Sequence, residues 1–147
     1  MIALIITFCG HSKLSEHNKI EVLLTRELRT LLEQGNHKFY LGGYGDFDLL
    51  AAKVLYELKQ EYPETESILI LPYLDRKVDA SLYDSTIYPP LENVQKRYAI
   101  SRRNKWMVKQ ADMVIACVDH DWGGASKTLE MAQKKKLPII NLADREV

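Results

Sequence analysis

The chain has 147 residues, 46% apolar and 27% charged, proportions that fit one globular domain with a real core. Lys plus Arg number 20 and Asp plus Glu number 20, so the formal net charge is zero, which argues against a general electrostatic grip on nucleic acid or on an anionic membrane. No stretch is long and apolar enough to span a bilayer, and the two cysteines, Cys9 and Cys117, read as buried thiols of a cytoplasmic protein.

Residues 2–8 (IALIITF) are continuously apolar and rich in β-branched side chains, which marks a strand buried on both faces. The run is short, carries no basic leader and enters a turn, Cys9-Gly10-His11-Ser12, so it is a strand rather than a signal peptide. Ser15 is placed to cap a helix over residues 16–34, where Ile20, Leu24, Leu28 and Leu31 recur at helical spacing. Gly35-Asn36 ends it. Residues 38–41 (KFYL) form a second strand, which leads into Gly42-Gly43-Tyr44-Gly45-Asp46. The next helix carries Leu49, Leu50, Val54, Leu55 and Leu58 on one side and stops before Pro63.

Residues 67–71 (SILIL) are a third strand, ended by Pro72. Residues 73–91 show no clear element, and a loop of that length in a compact domain is functional or disordered. It holds Tyr73, Tyr83 and Tyr88, aromatic rings suited either to packing or to stacking on a base. A helix over residues 92–110 brings the chain to a fourth strand at 113–118 (MVIACV). A glycine turn and a helix over 126–136 follow, then a fifth strand at 137–142 with Pro138 at its tolerated first positions.

Strand and helix alternate throughout, which requires parallel strands joined by right-handed crossovers. The expected fold is a single Rossmann-like α/β domain over residues 1–147, a five-stranded parallel sheet of order 3-2-1-4-5 with helices on both faces. Ligands bind such sheets outside the carboxyl ends of the strands where the order reverses, here between strands 1 and 4.

Three strand-to-helix turns on that rim carry glycine. They hold Gly10 beside His11, the group Gly42, Gly43 and Gly45, and the run Gly123, Gly124, Ala125, Ser126, Lys127, Thr128 at a helix start. Glycine lets the backbone turn sharply and come close to a ligand, and a helix N-terminus offers free amides and a positive dipole end to a phosphate. The GGYG group lacks the spacing of a dinucleotide fingerprint, so no NAD is expected. Arg102 and Arg103 offer planar forks that match phosphate, or form a solvated basic face. Asp119 and Asp121 flank His120, positioned for ribose hydroxyls or simply for the turn. His11, His17, His37 and His120 show no ligand spacing with the cysteines, so no metal and no cofactor is expected.

Residues 98–142 resemble the SLOG superfamily, which includes the LOG enzymes that hydrolyse cytokinin nucleoside 5′-monophosphates, the DprA-type DNA-processing proteins and YpsA-like bacterial proteins. The LOG motif MHxRK lies over Ile100-Ser101-Arg102-Arg103-Asn104, and PGGxGTxxE over Trp122-Gly123-Gly124-Ala125-Ser126-Lys127-Thr128-Leu129-Glu130. The resemblance implies Arg103 and Glu130 as catalytic residues, a nucleotide-type ligand and a homodimer. The motif His is Ser101 here, its Lys is Asn104, its third Gly is Ser126 and its Thr is Lys127. The FCGHS turn and the layout of the whole chain are closer to the YpsA-like branch.

Three functions are compatible with this reading. One is nucleotide binding with hydrolysis of the N-glycosidic bond, the phosphate on the 123–128 turn and Glu130 stabilising the cationic sugar. Another is a non-catalytic sensor of a nucleotide or ADP-ribose-like signal, favoured by the four motif departures. The third is single-stranded DNA binding, disfavoured by the balanced charge.

Overall fold

The computed structural model describes residues 3–35 and 37–147, so Ile2 of the first expected strand and Asn36 of the expected cap lie outside the described residues. Among the described residues six parallel strands form one sheet: β1 (Ile5–Gly10), β2 (Lys38–Leu41), β3 (Glu66–Ile70), β4 (Ser85–Ile87), β5 (Met113–Cys117) and β6 (Ile139–Asn141). Their order is β4-β3-β2-β1-β5-β6. The helices are α1 (His17–Gln34), α2 (Asp46–Leu58), α3 (Ala99–Gln110) and α4 (Gly124–Lys134).

The five expected strands stand in the expected order, with the reversal between β1 and β5. The sixth, β4, lies inside the segment read as irregular and pairs with β3 at the sheet edge, Ile68 opposite Ser85 and Ile70 opposite Ile87. It is three residues long, and Ser85 and Thr86 are exposed, so no apolar run announced it.

Several helix bounds differ from those expected. Glu16, not Ser15, occupies the position before α1, and no side chain caps it. Gly35 closes α1 with φ 162°, extended backbone that any residue adopts, so the left-handed cap is absent there. The expected helix over 92–110 begins only at Ala99, after a single 3-10 turn at Lys96–Tyr98. Leu49 is exposed, and the buried side of α2 is Phe47, Leu50, Ala51, Val54, Leu55 and Leu58 instead.

Alternation along each strand divides the core between two layers. Ile6, Phe8, Phe39, Leu41 and Ile115 pack with Leu24 and Leu28 of α1 and with Phe47 and Leu55 of α2. On the opposite face Cys9, Val114 and Ala116 meet Val108 of α3 and Ala132 of α4, while Tyr40, Ile68 and Ile70 meet Met107. A fully buried Leu or Phe contributes roughly 1.5–3 kcal/mol over its exposed state, so these central strands, rather than polar β4, hold the sheet. Lys135 closes the end of α3 by donating from Nζ to the carbonyls of Val108 (3.0 Å), Lys109 (2.6 Å) and Ala111 (3.2 Å). Among the described residues no helix is long and apolar enough to cross a membrane.

Candidate functional site

The carboxyl ends of β1, β2 and β5 open into one crevice of about 380 Å³. Its lining includes Gly10 at the end of β1, His11 and Lys13 after it, Tyr44 and Asp48 after β2, Arg103 and Asn104 of α3, and Trp122, Gly123, Gly124, Ala125 and Thr128 after β5. This is the switch point of the sheet, because β1 pairs with β2 on one side and with β5 on the other.

Arg103 forms the floor. It is only 3% exposed, and its Nη1 donates to the carbonyls of Gly42 (2.8 Å) and Ile70 (2.9 Å), the ends of β2 and β3. Its Nε donates to Asn104 Oδ1 at 2.9 Å. Burial lowers the guanidinium pKa from its ordinary value, and the nearby Asp48 opposes that shift. Asp48 is buried on the first turn of α2, and its Oδ2 accepts the Gly42 N–H at 3.1 Å. Burial raises its carboxyl to about 6, while Arg103 and the amides of Gly42 and Gly43 pull it down.

The glycines divide by what surrounds them. A Cβ on Gly10 would fall into the Phe47 ring, 2.5 Å from Phe47 Cβ, and one on Gly42 would lie 2.9 Å from Asp48 Oδ2 and 3.1 Å from Arg103 Cζ. Gly45 has φ +89° and lies against Ser12 Cα, and Gly43 has φ +73° and lies against Leu69. Those four serve the packing of the protein itself. At Gly123 and Gly124 a Cβ would meet nothing within 4 Å, so the space above their backbone is open. Gly123 holds φ +94° at the start of α4, a conformation that demands glycine there. Thr128 is buried beneath that turn, and its hydroxyl donates to the Gly124 carbonyl at 3.0 Å.

A column of rings stands at the rim. His11 stacks on His120 with centroids 3.6 Å apart and planes 11° apart, and His120 stacks on Trp122 at 3.8 Å and 17°. The Asp119 N–H points at His11 Nε2 at 3.0 Å, and Asp119 Oδ1 lies 3.1 Å from the same nitrogen, so the backbone and carboxylate of Asp119 both hold that edge of the ring. Burial and the neighbouring His120 lower the His11 pKa. His11, Asp119 and His120 bring one metal-ligand type of atom each within 4.8 Å of one another, a grouping of distant residues that sequence spacing does not reveal. Nearly parallel rings at stacking distance aim their in-plane lone pairs along separate planes and not at one shared ion, so the arrangement fits a stack better than a metal centre.

Not every residue singled out in the sequence reaches the crevice. Arg102 and Lys127 are exposed and do not line it. Asp119, Ser126 and Glu130 line a neighbouring depression that shares His120 with it. Glu130 is exposed and pairs with Lys134 at 3.5 Å, so Arg103 and Glu130 do not face each other within one chain. Tyr73, Tyr83 and Tyr88 do not line it either, although Tyr73 and Tyr83 stand close enough to Arg103 to act on its charge, whereas Tyr44 and Trp122, to which the sequence assigned no role, belong to the lining. Asp48 was equally unmarked; its one signal was its place as a second acid in the first turn of a helix that begins directly after a glycine group.

A family model described as the YspA SLOG family matches residues 10–139, which span all three turns of the crevice. The chain belongs to the YspA SLOG family. Among the proteins similar to it, a UPF0398 protein of Bacillus thuringiensis (strain Al Hakam) is 25% identical over 142 residues, covering 86% of this chain and 77% of the relative. The solved structure of TM1055 superposes with a TM-score of 0.67 at 16% identity, over 97% of this chain and 79% of that one. DNA processing protein A from Helicobacter pylori, whose structure concerns single-stranded DNA binding, gives 0.65 at 17% identity, over 92% of this chain and 63% of that one. These likenesses show a shared fold.

Proposed function

We propose that the protein binds a nucleotide or a nucleotide-derived small molecule in the crevice between the ends of β1 and β5. The observation that carries this reading is the open space over Gly123 and Gly124, at the amino end of α4 and in the same crevice as the Arg103 guanidinium. Backbone amides at the start of a helix suit a phosphate, and Lys13 on the same lining adds a second cation. Membership of the SLOG family supports the same class of ligand.

A panel of nucleoside mono- and diphosphates and ADP-ribose, followed by thermal shift and calorimetry, tests it. A ligand at 100 times its Kd adds about 2.7 kcal/mol of stability, so binders declare themselves as a raised Tm. Absence of any shift or heat across the panel overturns the proposal.

Within this reading, binding without turnover has specific support. Glu130, the position matching the LOG catalytic glutamate, is exposed and paired with Lys134 rather than set in the crevice. Hydrolysis of a nucleoside 5′-monophosphate is tested by following free base; release that disappears in Glu130→Gln establishes the N-glycosidase, and binding with no release establishes a sensor. The zero net charge weighs against single-stranded DNA, and salt-sensitive retention of an oligonucleotide would reverse that. A homodimer belongs to the same proposal: Val22 on α1 and Leu49 and Tyr56 on α2 leave apolar surface for a second copy to cover, and sedimentation equilibrium measures it.

A further inference from the structure

We infer that the crevice takes the flat aromatic heterocycle of its ligand between Trp122 and Tyr44, with Trp122 as the stacking platform. The inference rests on the nucleotide reading above and adds the part of the ligand that a phosphate cradle says nothing about.

Trp122 and Tyr44 are among the most exposed large apolar side chains of the molecule, 69% and 70% accessible, and both line the crevice. They come from different turns, Tyr44 after β2 and Trp122 after β5, strands that flank β1 on either side. An exposed Trp is costly to leave in water, and two exposed aromatic residues on the lining of one crevice mark a surface to be covered.

The Trp122 ring is also held in place before any ligand arrives. One of its faces lies on His120, His120 lies on His11, and His11 is fixed by the Asp119 N–H on its Nε2 and by its own backbone N–H on the Cys117 carbonyl at 3.3 Å. A ring anchored through two others to the end of β5 loses little freedom when a fourth ring joins the column, so the affinity gained from stacking is kept. Gly123 and Gly124 follow Trp122 directly. The turn that offers open backbone for an anion therefore also offers a π-face, the two kinds of contact that a heterocycle joined through a sugar to a phosphate can use.

A pentose alone could also lie on an indole face, and the probes are chosen to separate the two. Affinities of AMP and of ribose 5-phosphate are measured by calorimetry on the wild-type chain and on Trp122→Leu and Trp122→Phe. AMP should bind the wild type at least about tenfold more tightly than ribose 5-phosphate, the size of one base–aromatic stack. That advantage should vanish in Trp122→Leu and persist in Trp122→Phe, with ribose 5-phosphate binding all three alike. In the wild type, AMP and not ribose 5-phosphate should quench tryptophan fluorescence, and Trp122→Leu, which keeps Trp106, should lose the quench.

Equal affinity of the two probes for the wild type overturns the stacking site and leaves the nucleotide reading intact. An AMP advantage that survives in Trp122→Leu does the same. If neither probe binds, and no other member of the nucleotide panel does, the nucleotide reading fails and the platform falls with it.

Discussion

Asp48 and Arg103 both grip Gly42, the carboxylate on its N–H at 3.1 Å and the guanidinium on its carbonyl at 2.8 Å. The two ions hold one peptide segment at the end of β2 and share the buried floor of the crevice. Arg103→Met should leave the carbonyls of Gly42 and Ile70 without their donor and Asp48 without its counter-charge, at a cost of about 3–5 kcal/mol. Asp48→Asn in the same background should cost less than it does alone, because the charge left behind by the first change is removed. A double-mutant cycle in urea checks the coupling, expected at roughly 0.5–3 kcal/mol.

The same pair sets a pH dependence. Burial raises the Asp48 carboxyl from its ordinary 3.8 to about 6, so between those values the folded chain holds a proton that the unfolded chain releases. Its contribution to stability is therefore full below about pH 4 and is lost as pH rises through about 6. A shift of that size corresponds to on the order of 3 kcal/mol. The stability difference between wild type and Asp48→Asn should move in favour of the variant by about that amount from pH 4 to pH 7. His11, lowered by burial, works in the opposite sense, since its neutral form is the one favoured by folding and stability falls with acid. It is present in both chains, so the comparison cancels it.

Gly10 and Gly124 should answer alanine in opposite ways. At Gly10 the new methyl meets the Phe47 side chain at its root, where no rotamer change clears it, and a loss of about 1–3 kcal/mol or more is expected. At Gly124 the methyl enters open space at the first position of α4, and stability should stay within about 0.5 kcal/mol. Thermal melts of the two variants check this, and Gly124→Ala should weaken any phosphate-bearing ligand while folding normally.

Asn141 on β6 clasps the end of β5. Its Oδ1 accepts from Val118 N–H (3.1 Å) and Ala143 N–H (3.2 Å), and its Nδ2 donates to the Val118 carbonyl (2.9 Å). Asn141→Ala should cost about 1–3 kcal/mol for the part-buried groups left unpaired. Hydrogen exchange at Val118 and Asp119 should accelerate before exchange in β1 does, because the clasp holds the strand end where the ring-bearing turn begins.

The central sheet was legible in the sequence because its strands are buried on both faces and carry unbroken apolar runs, such as residues 113–117 of β5. Strand β4 was not, because an edge strand of Ser, Thr and Ile needs only backbone pairing. Arg103 could be singled out as a motif position, yet whether it faced solvent or the sheet depended on Asp48, a residue far away in the chain whose helix turns it inward. Glycine content located the three turns but could not say which glycines make room for Phe47 or Arg103 and which leave room for a guest. The ring column joins residues from two turns and needs coordinates to be seen.

The open backbone at Gly123–Gly124 also bears on how this architecture can change. Two of the three turns are committed: their side chains and glycines fit against Phe47, Leu69, Ser12 and Arg103, and a change there disturbs the scaffold first. The turn between β5 and α4, apart from the positive φ that keeps glycine at 123, carries no such obligation above its main chain. Specificity can drift at that lip without unfolding the domain, so proteins sharing this architecture should diverge in cargo chiefly through the few positions that follow Val118.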